Sequence, residues 1–229
     1  STPKPSSAAS DVYKRQPIFI DPSRGVILSL LVQSPTLKER IDQGGSVGYV
    51  ILALGVIGTL LALFCGARLS LIGGAMRKQL KSEQIIKGNP IGEMLGAYQD
   101  HRGDNIEDLE SKLDEIILRN VPKLEKGISL IKLIASVAPL LGLLGTVVGM
   151  IATFQAITLF GTGDPKLMAG GISEALVTTM QGLVVAVPML FLYTIVQTQS
   201  RRLIQVLEEQ SAGFVARYQE RLHAAKAAA

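Results

Sequence analysis

The sequence predicts an all-α membrane protein whose three transmembrane helices are prolonged into a helical region on one side of the bilayer, and three observations carry that prediction. Only 18% of its 229 residues are charged, where a soluble domain carries about a quarter, and 48% are hydrophobic. The apolar residues are gathered into three uncharged blocks, 47–67, 133–163 and 175–200. Each reaches the roughly 20 residues a helix needs to cross a bilayer. Lys and Arg are also distributed unevenly, with eleven from Arg68 to Lys132, five after Ser200, and only Lys166 in the connection 160–173. The positive-inside tendency therefore places the long connection and the C-terminal tail in the cytoplasm and the N-terminus outside. This pattern excludes a secreted disulfide scaffold, a soluble Rossmann or barrel enzyme and a disordered chain.

Residues 1–16 read as a disordered tail or a scar of assembly, the stretch 11–16 showing no usable pattern. The chain opens at Ser1 without Met and shows no signal peptide, which reads as a fragment or a matured product. Over 17–46, Pro22 and Ser23 open an amphipathic helix carrying Val26, Ile27, Leu30, Leu31, Leu37 and Ile41, expected to lie along the outer membrane boundary. The Gly44-Gly45 break leads into span one, 47–72. The connection 73–130 holds ten acids against its basic residues and shows helical spacing at Ile106, Leu109, Leu113, Ile116, Ile117 and Val121. It is expected to prolong spans one and two and to add shorter helices, with breaks near Gly88-Asn89-Pro90 and at Gly103. Span two covers 131–160, an outer turn 161–171 and span three 172–200. The tail 201–229 continues span three, with Leu203, Val206, Leu207 and Phe214 on one side and Glu208, Glu209, Arg217 and Glu220 around it.

Spans two and three carry the polar residues that matter. Pro139, Gly142, Gly145, Thr146, Gly149 and Thr153 form a small and polar seam on span two, Thr153 lying about 20° from Thr146 at 100° per residue. Two readings stand: packing glue of the small-xxx-small kind, and the wall of a pore. Pro139 and Pro188 kink their helices or free carbonyls. Glu174 is the one acid in or near a span, and a charge at mid-membrane costs about 2.5–3.5 kcal/mol on insertion scales. It either sits in the first turn of span three behind a Ser173 cap, at the outer interface, or faces protein or water within the membrane. Gln181 shares its face, about 20° away, whereas Thr179 is turned by about 140°. Glu174 and Thr179 therefore cannot both enter one narrow lumen unless the helix kinks or one of them meets a subunit interface.

His101 and His223 lack a partner at metal-ligand spacing, and Cys65 is alone inside span one. No Walker A, Rossmann glycine or Ser/His/Asp pattern is present, so neither cofactor, metal, nucleic acid nor catalytic residue is expected. Energy would come from an ion gradient or from a separate ATPase.

The run Ala138-Pro139-Leu-Leu-Gly142-Leu-Leu-Gly145-Thr146-Val-Val-Gly149-Met, followed by Gly171-Ile172-Ser173-Glu174-Ala175-Leu176-Val-Thr-Thr179 and Gly182-Leu-Val-Val-Ala186-Val-Pro188, resembles the signature of the MotA/TolQ/ExbB proton-channel family. Three spans resemble its ExbB/TolQ branch, and 19–45 is similar to the longer ExbB-like proteins of TonB systems, most of whose N-terminal periplasmic region is absent here. The resemblance implies a homopentamer in the bacterial inner membrane. Its second and third spans would line a pore holding the single-span helices of an ExbD-like dimer, whose membrane Asp carries the proton. It implies that Thr146, Thr179 and Glu174 belong to the proton pathway, that Pro139, Gly142, Gly145, Gly149 and Pro188 serve helix packing, and that the output is rotary work on a TonB-like protein. A TolQ-like partner set, a non-conducting scaffold, a permease component with an external ATPase, and sodium in place of protons are the alternatives.

Overall fold

The structure, a computed structural model, describes residues 37–101, 105–161 and 165–227. The described residues form six helices and no strand: α1 Leu37–Asp42, α2 Gly45–Leu80, α3 Pro90–Asp100, α4 Ile106–Glu125, α5 Ile128–Phe160 and α6 Pro165–Ala227. The expected tail 1–16, most of the amphipathic helix 17–46 and the break at Gly103 lie outside the described residues. Contacts divide the chain after Glu39, and residues from Arg40 onward form one unit.

α2, α5 and α6 each contain a stretch long and apolar enough to cross a membrane. α2 runs unbroken for 36 residues, carrying the apolar helix on into a basic last turn with Arg77 and Lys78. α6 extends for 63 residues, about 95 Å at 1.5 Å per residue, so one helix supplies both the third span and the tail. It begins at Pro165, a residue suited to the first helical turn, rather than near Ser173. Ser173 therefore does not cap it, and Glu174 stands in about its third turn.

The helix before α5 does not run into it. Gly127 takes φ 91°, left-handed backbone that halts α4 and lets α5 restart in a new direction. Arg68 of α2 secures this turn, its Nη2 donating to the carbonyls of Lys123 at 2.7 Å and Lys126 at 3.1 Å. Cys65, one turn away, packs its Sγ on the Lys126 carbonyl at 3.6 Å.

Two kinds of packing hold the unit together. Along the apolar stretches the helices meet through small residues, and the large side chains, such as Phe64, Leu140 and Phe191, turn outward. That inversion suits lipid, which solvates Leu as well as a protein core does. Beyond the apolar stretches the pattern becomes that of a soluble domain. Met76, Met94, Leu109, Leu113, Leu124, Ile131 and Leu207 are fully buried among α2, α3, α4, α5 and α6. On α4 the residues Leu109, Leu113, Ile116 and Leu124 form the buried stripe. Ile106, Ile117 and Val121 flank it half-buried. The connection 81–89 folds around one buried amide. Gln79 donates to the carbonyls of Ser82 and Gln84 at 3.1 and 2.8 Å and accepts from the Ile86 N–H at 2.7 Å. Asn89 then caps α3 by accepting from the Gly92 N–H at 2.7 Å.

Candidate functional site

α5 and α6 approach backbone to backbone. A Cβ added at Gly182 would lie 2.7 Å from the Ala138 carbonyl oxygen and 3.2 Å from the Gly142 Cα. One added at Gly142 would lie 3.1 Å from the Thr179 Cα, and one at Gly149 would lie 3.0 Å from the Ala175 Cβ. Gly145 is covered in the same way by the Thr178 side chain, and Gly171 by Thr153. The glycine seam of α5 thus faces α6 of its own chain. Pro139 is half-buried next to this seam. Pro188 is exposed, and with Gly55 and Met189 it lines a shallow apolar groove between α2 and α6.

The close approach brings hydroxyls together. Thr146 and Thr179, both half-buried, share a hydrogen bond between their Oγ1 atoms in which either can donate. Thr179 also lies 3.1 Å from the Gly142 carbonyl oxygen, and Thr146 lies 3.2 Å from that same oxygen and 3.4 Å from the Ala175 carbonyl. Each hydroxyl has one proton and several acceptors in reach, so the pair has alternative donor arrangements of similar geometry. Such a pair can pass a hydrogen bond along itself, or turn a donor towards a carboxylate presented from outside. Thr153, farther along the seam, is buried and bonded to the Gly149 carbonyl at 2.9 Å.

Glu174 lies elsewhere. Its carboxylate packs against the backbone of Gly45, where an added Cβ would overlap Oε1. Thr178, on the same side of α6, donates to the Glu174 carbonyl at 2.8 Å and reaches the Gly44 carbonyl at 3.3 Å. Gln181 is 6% exposed; its Nε2 donates to the carbonyls of Arg40 at 3.2 Å and Ile41 at 3.4 Å, and its Oε1 has no partner. Span three therefore has two polar faces. Thr179 meets Thr146 on α5, while Glu174, Thr178 and Gln181 meet the start of α2. The structure brings Thr146 and Thr179 together and leaves Glu174 apart, set against its own chain. Thr178 was not singled out from the sequence. Its signal was the Glu174-Thr178-Gln181 spacing, repeated opposite Gly44, Gly45 and Gly48.

The remaining candidates take structural places. His101 stacks its ring edge-on to Tyr218, and its Nε2 lies 3.1 Å from the Asn105 carbonyl oxygen. Cys65 is buried. Among the described residues no three His, Cys, Asp or Glu side chains gather as a metal site.

Residues 70–209 match the profile of the MotA/TolQ/ExbB proton channel family. The chain is 30% identical over 175 residues to a biopolymer-transport ExbB homologue of Methanothermobacter thermautotrophicus. That alignment covers 69% of this chain and 62% of the relative, so the chain spans less than two thirds of that protein. It is 28% identical over 211 residues to an ExbB-like transport protein of Synechocystis, covering 84% of this chain and 82% of the relative. It is also 30% identical over 105 residues to the Tol-Pal system protein TolQ of Haemophilus influenzae, covering 46% of this chain and 44% of the relative. The profile match takes in both hydroxyl partners and Glu174 and leaves out the start of α2.

Proposed function

This chain belongs to the MotA/TolQ/ExbB proton channel family, in its ExbB-like branch, and from that premise we infer that five copies form a ring in a bacterial inner membrane around the single-span helices of an ExbD-like dimer. The ring converts proton flow into motion that a TonB-like protein delivers to outer-membrane transport. In this reading the chain is not an enzyme: it makes and breaks no covalent bond other than those to protons. The excess of Lys and Arg between α2 and α5 and after α6 supports an orientation with Gly45 and Gly161 facing outward.

The observation that carries the reading is the half-buried Thr146–Thr179 pair, joined across α5 and α6 in the middle of otherwise apolar helices. A carboxylate on the partner helix that lost its proton beside this pair would find a hydroxyl able to turn towards it. Neutralised again, it could move along the apolar wall. One proton falling through ~150 mV makes roughly 3.5 kcal/mol available for that movement. Glu174, set at the junction of α6 and α2, would serve at the outer end of the pathway.

The same hydrogen bonds favour one competing reading, a scaffold that organises helices without conducting, because Thr146 and Thr179 already satisfy each other inside the chain. Co-expression with a single-span partner bearing a membrane Asp, followed by native mass spectrometry and proton-flux measurement in liposomes, separates the two. Five chains with two partners, and flux lost in Thr146→Val and Thr179→Val with the assembly intact, supports the motor. Assemblies whose activity survives both substitutions and ignores an uncoupler would leave the scaffold.

A further inference from the structure

Pro188 stands in the interior of α6 without ending it. A proline there has no N–H for the carbonyl four residues back, so the Val184 carbonyl loses its helical donor. In lipid such a freed carbonyl must find a donor on another helix, commonly a Ser or Thr hydroxyl, because acyl chains supply none. Val184 is 62% exposed, and with Pro188, Gly55 and Met189 it lines the apolar groove of about 330 Å³ between α2 and α6. The hydroxyl in that groove, Thr59, is committed to the Gly55 carbonyl at 2.8 Å. The groove itself therefore offers the freed carbonyl no hydroxyl.

A matching donor lies on α5. From Leu133 to Gly145 the one polar side chain is Ser136. The seam sets Ala138 opposite Gly182, where an added Cβ would lie 2.7 Å from the Ala138 carbonyl oxygen. The two helices run antiparallel, so Ser136, two residues before Ala138, and Val184, two residues after Gly182, stand at one depth in the membrane. Two residues turn a helix by about 200°, so each points about 160° away from the seam, on the outer side of its own helix. Ser136 is exposed, and its hydroxyl donates along its own helix to the Lys132 carbonyl at 3.0 Å. That carbonyl also faces the helical N–H of Ser136, so the hydroxyl can turn away without leaving it unpaired.

We propose that the groove between α2 and α6 receives α5 of a second copy of this chain, whose Ser136 hydroxyl donates to the freed Val184 carbonyl. Leu133 and Leu140, one turn to either side of Ser136 and 55% and 63% exposed, fill the groove beside that bond. The donor and the acceptor stand on opposite sides of the α5–α6 pair, so they cannot meet within one chain. Repeated from copy to copy they make a head-to-tail contact, the kind that closes a ring. An acyl chain in the same groove would cover the apolar floor and leave the carbonyl unpaired. The inference rests on the ring reading given above and adds the joint by which its members meet.

The test keeps the full chain in its membrane. Two differently tagged forms, Ser136→Cys and Val184→Cys, are co-expressed and oxidised, with the unaltered chain, whose Cys65 is buried, as the control. The expected result is a disulfide joining the two tags, and none when either form is expressed alone. A second measurement follows dissociation of the assembled copies by native mass spectrometry. Ser136→Ala is expected to weaken each contact about threefold, and up to about twentyfold, as loss of one hydrogen bond between membrane helices does. Pro188→Ala returns a helical donor to the Val184 carbonyl, so Ser136→Ala added to it should change nothing further. Assembled copies without the mixed disulfide would mean that lipid fills the groove, and would overturn the contact while leaving the ring. A Ser136→Ala effect of equal size in both backgrounds would overturn the hydrogen bond to Val184. A chain that stays monomeric even with a single-span partner present would overturn the ring and the contact together. If Pro188→Ala does not assemble, the mixed disulfide alone decides.

Discussion

The carboxylate of Glu174 rests on the backbone of Gly45, so the one acid near the apolar part of α6 is engaged with the first residue of α2 and not with the hydroxyls on α5. Gly45 has φ 58°, a conformation that costs a non-glycine residue about 1–2 kcal/mol, and an added Cβ would also strike the carboxylate. Gly45→Ala is expected to lose more than that conformational cost. In the background of Glu174→Ala only the conformational part should remain. Thermal unfolding in detergent of the two single variants and the double variant reads the difference.

Thr146 and Thr179 form one unit, so their substitutions should not add. Hydrogen bonds between helices in membranes are worth about 0.6 kcal/mol on average and up to about 1.7. A double-mutant cycle with Thr146→Val and Thr179→Val, measured by denaturant unfolding, should give a coupling energy within that range. A coupling of zero would mean that each hydroxyl is satisfied by carbonyls alone.

Gly182 and Gly213 lie on the same helix in opposite circumstances. A Cβ at Gly182 would press on the Ala138 carbonyl at 2.7 Å, while one at Gly213 would meet nothing within 4 Å. Gly213→Ala should stabilise by about 0.5–1 kcal/mol through helix propensity. Gly182→Ala should destabilise by about 1–3 kcal/mol, because the α5–α6 seam must open to admit it. Melting temperatures moving in the same direction for both variants would contradict the packing described.

Arg68 is expected to matter more than its single charge suggests, because it holds two backbone carbonyls where α4 ends. Losing hydrogen bonds from a charged donor costs about 1.5–3 kcal/mol. Arg68→Ala should fall in that range and speed amide hydrogen exchange from Asn120 to Ile131. Arg68→Lys, which lacks the planar fork, should recover part of the loss.

The ion pair of Arg119 with Glu93, at 2.7 Å, should matter little. Both side chains are about half exposed, 51% and 42%, and surface pairs contribute about 0–1 kcal/mol and weaken with salt. Glu93→Gln should shift the melting temperature only slightly, and less at high ionic strength. A large, salt-independent loss would show that the Asn120 contact to the same carboxylate, at 3.4 Å, carries the stability.

Much of this architecture could be read from the chain alone. The uncharged runs located α2, α5 and α6 because a helix crossing lipid must be continuous and apolar. The Leu109, Leu113 and Ile116 spacing located α4 because a helix with one face on an apolar core and the other in water needs an apolar stripe. Gly88-Asn89-Pro90 marked a break in the connection, and the structure added that Asn89 caps α3 there. The glycine and threonine seam was visible too, since 100° per residue fixes which side chains share a face. What the angles could not fix is which neighbour each face meets. That depended on the rotation of α6 between α2 and α5. Tertiary packing alone turned Thr179 onto Thr146, set Glu174 against Gly45, and started α6 at Pro165, two turns before Ser173. The sequence alone determined the apolar lengths and the polar faces, because these follow from local periodicity and the cost of charge in lipid. Only the folded chain decided the partners, because the backbone contacts at Gly142, Gly182 and Gly45 join segments that lie far apart along the sequence.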